Sequence, residues 1–309
     1  MLFAVLVLVG ASVNAQIITF ADGTANEFQI EFVEIGNPGN VADINGQPNP
    51  AGAVNYVYNI GKYEISRGII EKANAAAGLG IGMWDMAGWG FGSNGPKQPA
   101  TGMNWFMMAR FVNYLNTSSG YQAAYKFDAN NTFQLWTSAE AGFNPSNPFR
   151  NGLAKYVIPN SNEWYKAAYG SLSGVWYKYA TGSDSIPSTV TGGTLANTAV
   201  YDQWIHSGPA AVDNAGGLSA FGTMAQTGNV WEFTETFVPG PDDPREIRGG
   251  QWTQQSTDVI SSNYQSVYGA NGGHPEIGFR VAMVPEPSSL TLLLAGGVVF
   301  AAVRRRKLD

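Results

Sequence analysis

Apolar residues in this chain fall into short groups, and three stretches have the signals of a helix. In 104–116, Met107, Phe111, Tyr114 and Leu115 recur at i, i+4, i+7 and i+8 behind Asn104, a residue suited to the N-cap. This Met and aromatic stripe is read as core. In 161–169, Asn160 supplies the N-cap, Glu163 closes a capping box, and Gly170 stands just past the end. Residues 69–77 are Ala-rich and stop at Gly78, which suits a C-cap.

Elsewhere the pattern is strand or loop. Tyr56-Val57-Tyr58 and Tyr63-Glu64-Ile65-Ser66 cluster β-branched and aromatic residues without helical spacing, which predicts paired strands over 55–66. Residues 36–52, with several Pro and Asn, predict turns. Residues 179–202 are polar, rich in Gly, Ser and Thr, and lack a period, so they predict a loop. The Gly- and Trp-dense segment 78–95 lacks the G-x-x-x-x-G-K-S/T string of a phosphate cradle. It reads as a surface loop pinned by aromatics, with Trp84 and Trp89 as candidates to line a recess.

Composition then narrows the class. The chain has 309 residues, 44% hydrophobic, so it can bury a sizeable core, and one large domain is expected. Only 13% of residues are charged, against 38 Gly, 9 Trp, 14 Tyr and 16 Phe, a balance that favours loop-rich architecture over long regular helices. Net charge is −6, yet four of the 17 basic residues sit in Arg304 to Lys307, so the body is more acidic still. An acidic body disfavours nucleic acid as a partner.

Both ends carry targeting signals. Leu2 to Val9 is continuously apolar, and Val13 and Ala15 occupy the −3 and −1 positions of a cleavage site. That pattern predicts a signal peptide over 1–15, with a buried N-terminal strand as the competing reading; no basic n-region precedes it. At the other end, Pro285-Glu286-Pro287 is followed by the apolar run Leu290 to Val303 and by Arg304, Arg305, Arg306 and Lys307. This resembles the PEP-CTERM sorting tail, which implies an exosortase-type sorting protease as partner. The apolar run falls short of the roughly 20 residues of a comfortable span, and the basic end holds to the inside, as in a transient inner-membrane anchor. The alternative is an ordinary uncut transmembrane anchor. Both readings export the intervening residues.

Between the tails, five strings stand in a fixed order: the helix at 104–116, I-P-N-S-N-E-W-Y-K-A-A-Y at 158–169, G-N-V-W-E-F at 228–233, R-G-G-Q-W at 248–252 and G-F-R-V-A at 278–282. Together they resemble the formylglycine-generating-enzyme, or sulfatase-modifying-factor, domain family over roughly 32–282. The resemblance implies an α+β, C-type-lectin-like fold of short sheets, two packed helices and long ordered loops, here in residues 16–283 with the sorting tail at 284–309.

The family's oxidation of a substrate cysteine uses a copper-binding cysteine pair. The resemblance places those positions at Gln254 and Val259, and the chain contains no cysteine, so it implies no catalytic residue. Soft Cu(I) wants thiolate or thioether donors, which neither residue offers. His206 and His274 stand apart from any metal-spaced string and read as structural or surface residues.

Calcium is the other implied cofactor. Glu232, Gly228 and Val230 match a family calcium site, while the preceding ligand position is Ala225; Asn197 and Asp213 lie where a second site would draw ligands. The competing reading pairs Glu232 with Arg280 or Arg248, because a buried charge needs a partner or a metal. Function then divides two ways. The first is a non-catalytic module at the cell surface or matrix, binding a glycan, peptide or matrix component through Trp84, Trp89 and Trp252. The second is a cysteine-free, metal-dependent oxidoreductase on the same fold.

Overall fold

The structure is a computed structural model that describes residues 15–285. The predicted signal segment up to residue 14, the sorting residues Glu286, Pro287, Arg304, Arg305 and Arg306, and the apolar run between them lie outside the described residues. Among the described residues no helix is long and apolar enough to cross a membrane.

The chain runs β1 (Ala15–Phe20), β2 (Phe28–Ile35), β3 (Tyr58–Gly61), α1 (Arg67–Ala77), α2 (Trp105–Ser118), β4 (Lys126–Phe127), β5 (Phe133–Gln134) and β6 (Tyr156–Val157). It continues through α3 (Ser161–Tyr169), β7 (Ser188–Thr189), β8 (Thr198–Ala199), a 3-10 turn at Ile205–Ser207, β9 (Trp231–Phe237), β10 (Arg245–Arg248), β11 (Ser266–Tyr268), β12 (Ile277–Gly278) and β13 (Ala282–Met283). A five-stranded sheet has the order β1-β2-β3-β13-β6, and a four-stranded sheet the order β11-β10-β9-β12. The result is the expected α+β fold of short sheets joined by long loops.

All three predicted helices form. Asn104 accepts a hydrogen bond from the Met107 N–H at 2.9 Å, and Asn160 and Glu163 make the reciprocal capping box. Gly78 takes φ +61, a left-handed cap that costs glycine little. In α2 the buried face is turned slightly from the predicted stripe: Trp105, Met108, Phe111, Val112 and Leu115 are buried, while Met107 and Tyr114 stay at the rim. Trp105 explains the turn, because its indole N–H donates to Thr234 O at 3.0 Å and draws the start of the helix under β9. Each fully buried apolar side chain on that face contributes about 1.5–3 kcal/mol.

The expected strand pair over 55–66 does not form. Only Tyr58–Gly61 is strand, and it pairs with β2 and β13. The chain leaves regular pairing at Lys62 because Glu64 turns inward to a buried amide, Asn229 Nδ2, at 2.6 Å. The β1–β2 hairpin extends the sheet on its other side, through Phe20, Phe28, Ile30, Phe32 and Val33 of the core.

Candidate functional site

Beyond the end of β3, polar groups converge where the GNVWE, RGGQW and GFR segments meet. Glu232 is fully buried on β9, and Arg280 reaches it side-on: Nε lies 2.6 Å from Oε2, and Nη2 2.6 Å from Oε1. The Trp164 indole N–H donates to Oε2 at 2.8 Å. Arg280 spends its remaining donors on the Gly61, Lys62 and Met224 carbonyls. Every hydrogen-bonding group of this pair is therefore satisfied, the condition under which a buried charge pair is tolerated. Arg248 is engaged elsewhere, with Glu246 and the Gln47 carbonyl.

Both carboxylates among the predicted calcium ligands, Glu232 and Asp213, are engaged by cations. A guanidinium occupies both oxygens of Glu232, and the neighbouring ligand position, Ala225, has no oxygen to offer although its φ of +68 is a conformation that Asn and Gly favour. Gly228 is buried, and its N–H donates to Gly249 O. Val230, two residues on, is fully buried. Asn197 Oδ1 accepts from Thr181 Oγ1 at 3.0 Å, whereas Asp213 pairs with Lys97 Nζ at 2.6 Å. Among the described residues, no group of three or more His, Cys, Asp or Glu side chains is placed to hold a metal. Gln254 and Val259 are half-buried, and the Gln254 carbonyl accepts from the Asp202 N–H at 3.0 Å.

Glu64 is the least settled charge of the junction. Its Oε2 accepts from Asn229, but Oε1 is buried without a partner. Burial, with Glu232 nearby, pushes its carboxyl well above the usual carboxylate range.

Above this junction the surface turns aromatic. Trp252 is fully buried, so it supports this face rather than presenting itself, and its indole N–H donates to Ile205 O at 3.2 Å. It thereby props the 3-10 turn that carries His206. His206 Nδ1 lies 2.6 Å from Gly90 O, which sets the proton on Nδ1 and leaves Nε2 as an acceptor. Its ring meets Trp204 edge-on at 4.4 Å and stacks on Phe91 at 6.4 Å.

Trp204 is 71% exposed and Trp89 64% exposed, while Trp84 is half-buried with its ring 5.5 Å from Trp89. Gly102 makes this seat possible: at φ +81 its absent Cβ would lie 2.4 Å from the Trp84 Cβ. Lys97 O and Gln98 Nε2 bond to Val212 N and Pro209 O, tying the two loops together. The loop at 78–95 lacks helix and strand, as its composition indicates, and Trp84 and Trp89 share one face. Trp204 escaped the sequence reading because nothing in a polar loop marks which indole will stay in solvent, whereas His206, read there as a structural or surface residue, lies against it at 4.4 Å.

A second buried network also escaped it. Arg150 pairs with both oxygens of Glu163 at 3.1 and 2.7 Å, and Tyr125 and Asn147 donate to Glu235 at 2.8 and 2.6 Å. Arg245 sits between aromatic rings, 4.5 Å from Trp105 and 4.8 Å from Phe149. These residues lock α3 to β9 and β10, and their role is packing.

The fold matches known proteins. Residues 50–284 match the sulfatase-modifying factor enzyme 1-like domain, and the chain belongs to that family. Residues 284–307 match the PEP-CTERM protein-sorting motif, which marks an exported protein sorted to the cell envelope. Solved structures with the same fold include Treponema denticola variable protein 1, 18% identical with TM-score 0.56, covering 87% of this chain and 99% of that one. CarF is 18% identical with TM-score 0.58, covering 83% of this chain and 99% of its own. PvdO from Pseudomonas aeruginosa is 15% identical with TM-score 0.54, covering 87% and 98%. At these identities the likeness shows the fold alone. No curated protein is matched.

Proposed function

We propose that this exported domain is a non-catalytic binding module, delivered by exosortase-type sorting to the cell surface or matrix, that recognises a glycan through the face formed by Trp84, Trp89, Trp204 and His206. The observation that carries the reading is the pair of indoles left in solvent beside an imidazole acceptor. Large exposed aromatics on a built surface mark recognition sites. A sugar ring is apolar on its faces and hydroxylated at its rim, so the indole faces and the His206 imidazole offer it matching chemistry. The family's oxidation of a cysteine has no support in Gln254 and Val259, since neither can hold a soft metal ion as thiolate does.

The test is a glycan array and a cysteine-peptide turnover assay with copper, both run on the full chain. Saturable glycan binding with no formylglycine above a no-protein control is expected. Formylglycine production would overturn the non-catalytic reading, and binding to peptides but to no glycan would overturn the ligand class.

A further inference from the structure

The face of α2 turned away from the core carries a cation without a partner. Arg110, Tyr114 and Thr117 stand at i, i+4 and i+7 on α2, one stripe about 10 Å long. The opposite stripe, through Met108, Val112 and Leu115, is buried. Together with Leu79 beyond the end of α1, and with Phe127 and Asn131 of the β4–β5 hairpin, the exposed stripe lines a recess of about 500 Å³. That size lies within the roughly 300–1,000 Å³ of small-molecule sites.

The walls are fixed by main-chain anchors. Gly78 closes α1 in the left-handed conformation, so the chain leaves the helix there and brings Leu79 to the rim. Asn113 engages both backbone groups of Tyr125: its Nδ2 donates to the carbonyl at 2.7 Å, and its Oδ1 accepts from the N–H at 2.8 Å. That pins the root of the hairpin to α2 and leaves the lining side chains free to bind.

The charge inside is uncompensated. Among the described residues Arg110 has no ion pair and no hydrogen bond, and its Nε is buried without a partner. The one acid of the hairpin, Asp128, is spent on its own turn: Oδ1 accepts from the Asn130 and Thr132 N–H groups at 2.8 and 2.9 Å, and Oδ2 from Gln134 Nε2 at 3.4 Å. The Tyr114 hydroxyl and the Asn131 side-chain amide also bond to nothing among the described residues. A half-buried guanidinium left unpaired favours an anion from outside the chain.

The lining selects the anion. One guanidinium with no second cation in the recess matches a single negative charge, and its planar fork matches a carboxylate. The Tyr114 and Phe127 rings offer apolar faces, and the Tyr114 hydroxyl and Asn131 amide offer hydrogen bonds to hydroxyl groups. We propose that this recess binds an acidic sugar, a hexuronate whose carboxylate pairs with Arg110 while its ring lies against Tyr114 and Phe127. The site shares no residue with the Trp84–Trp204 face and does not rest on the reading of that face.

The experiment is a titration of the full chain in detergent with galacturonic acid, galactose and galactose 6-sulfate, read by ligand-observed NMR. Galacturonic acid should saturate with a Kd of about 1 mM, and galactose should bind at least about tenfold more weakly. Arg110→Gln should weaken galacturonic acid at least about tenfold, Arg110→Lys by less because it keeps the charge and loses the fork, and Tyr114→Phe by about threefold. Trp89→Ala should bind as the wild type does. Thermal melts check that each variant is folded; should Arg110→Gln not fold, Arg110→Lys and Tyr114→Phe carry the comparison. No saturation below about 50 mM, equal binding of galactose, undiminished binding by the Arg110 variants, or a loss in Trp89→Ala would overturn the proposal. Tighter binding of galactose 6-sulfate would overturn the carboxylate as the recognised group. Because Trp89→Ala separates this recess from the aromatic face, the two proposals fail independently.

Discussion

At the residue scale, the junction behind the aromatic face divides into one satisfied charge pair and one unsatisfied carboxyl. Removing Glu232 leaves Arg280 buried and unpaired and orphans the Trp164 N–H, so Glu232→Ala should cost about 3–5 kcal/mol, a fall in melting temperature on the order of 10 °C. The loss should be the same in millimolar calcium and in chelator, measured by thermal melts. A full site at a hundred times its Kd would add about 2.7 kcal/mol to the wild type; such a gain, abolished by Glu232→Ala, would show that the ion and not Arg280 holds this carboxylate. Glu64 behaves oppositely. Its folded-state carboxyl titrates above the unfolded one, so the unfolded chain loses its proton first and stability falls as pH rises through that interval. Glu64→Gln should raise the melting temperature at pH 7 to 8, with the gain shrinking toward pH 4. A gain independent of pH would contradict this. The sequence foretold that Glu232 needs a metal or an arginine, since a buried charge admits little else. It could not foretell Glu64, whose burial depends on Asn229 arriving from 165 residues away.

At the element scale, helices were legible and short strands were not. Asn104, Asn160, Glu163 and Gly78 act through bonds within one turn, and such signals survive in the sequence. β6, β12 and β13 have two residues each and exist only through partners elsewhere in the chain, so no local pattern announces them. The pairing of 55–66 failed for the same reason: β3 took β2 and β13 as partners. The α3 cap gives a graded check. Asn160→Ala should cost about 1 kcal/mol and Asn160→Gly a few tenths, whereas Glu163→Ala should cost more than either because it also takes from Arg150 the nearer of its two carboxylates, leaving Glu235 at 3.7 Å. Denaturant unfolding would separate the three; equal losses would show that the cap does not act as an independent unit.

At the scale of the whole molecule, the family's fold is kept with an ion pair and a buried tryptophan at its centre, in a chain that contains no cysteine. A cysteine-free domain exported to an oxidising compartment is stabilised by its core and polar networks rather than by crosslinks. The surface that the proposed binding role uses is the aromatic face, two loops tied together through Lys97 and Gln98 and propped on Trp252. The central claim is that this face binds. Its most direct test is the dissociation constant of the best glycan for the wild type and for Trp89→Ala and Trp204→Ala, with thermal melts alongside. Each substitution removes an exposed ring and should leave the melting temperature unchanged while weakening binding by about 1–2 kcal/mol, roughly 5- to 30-fold. Unchanged affinity in both variants would contradict the account.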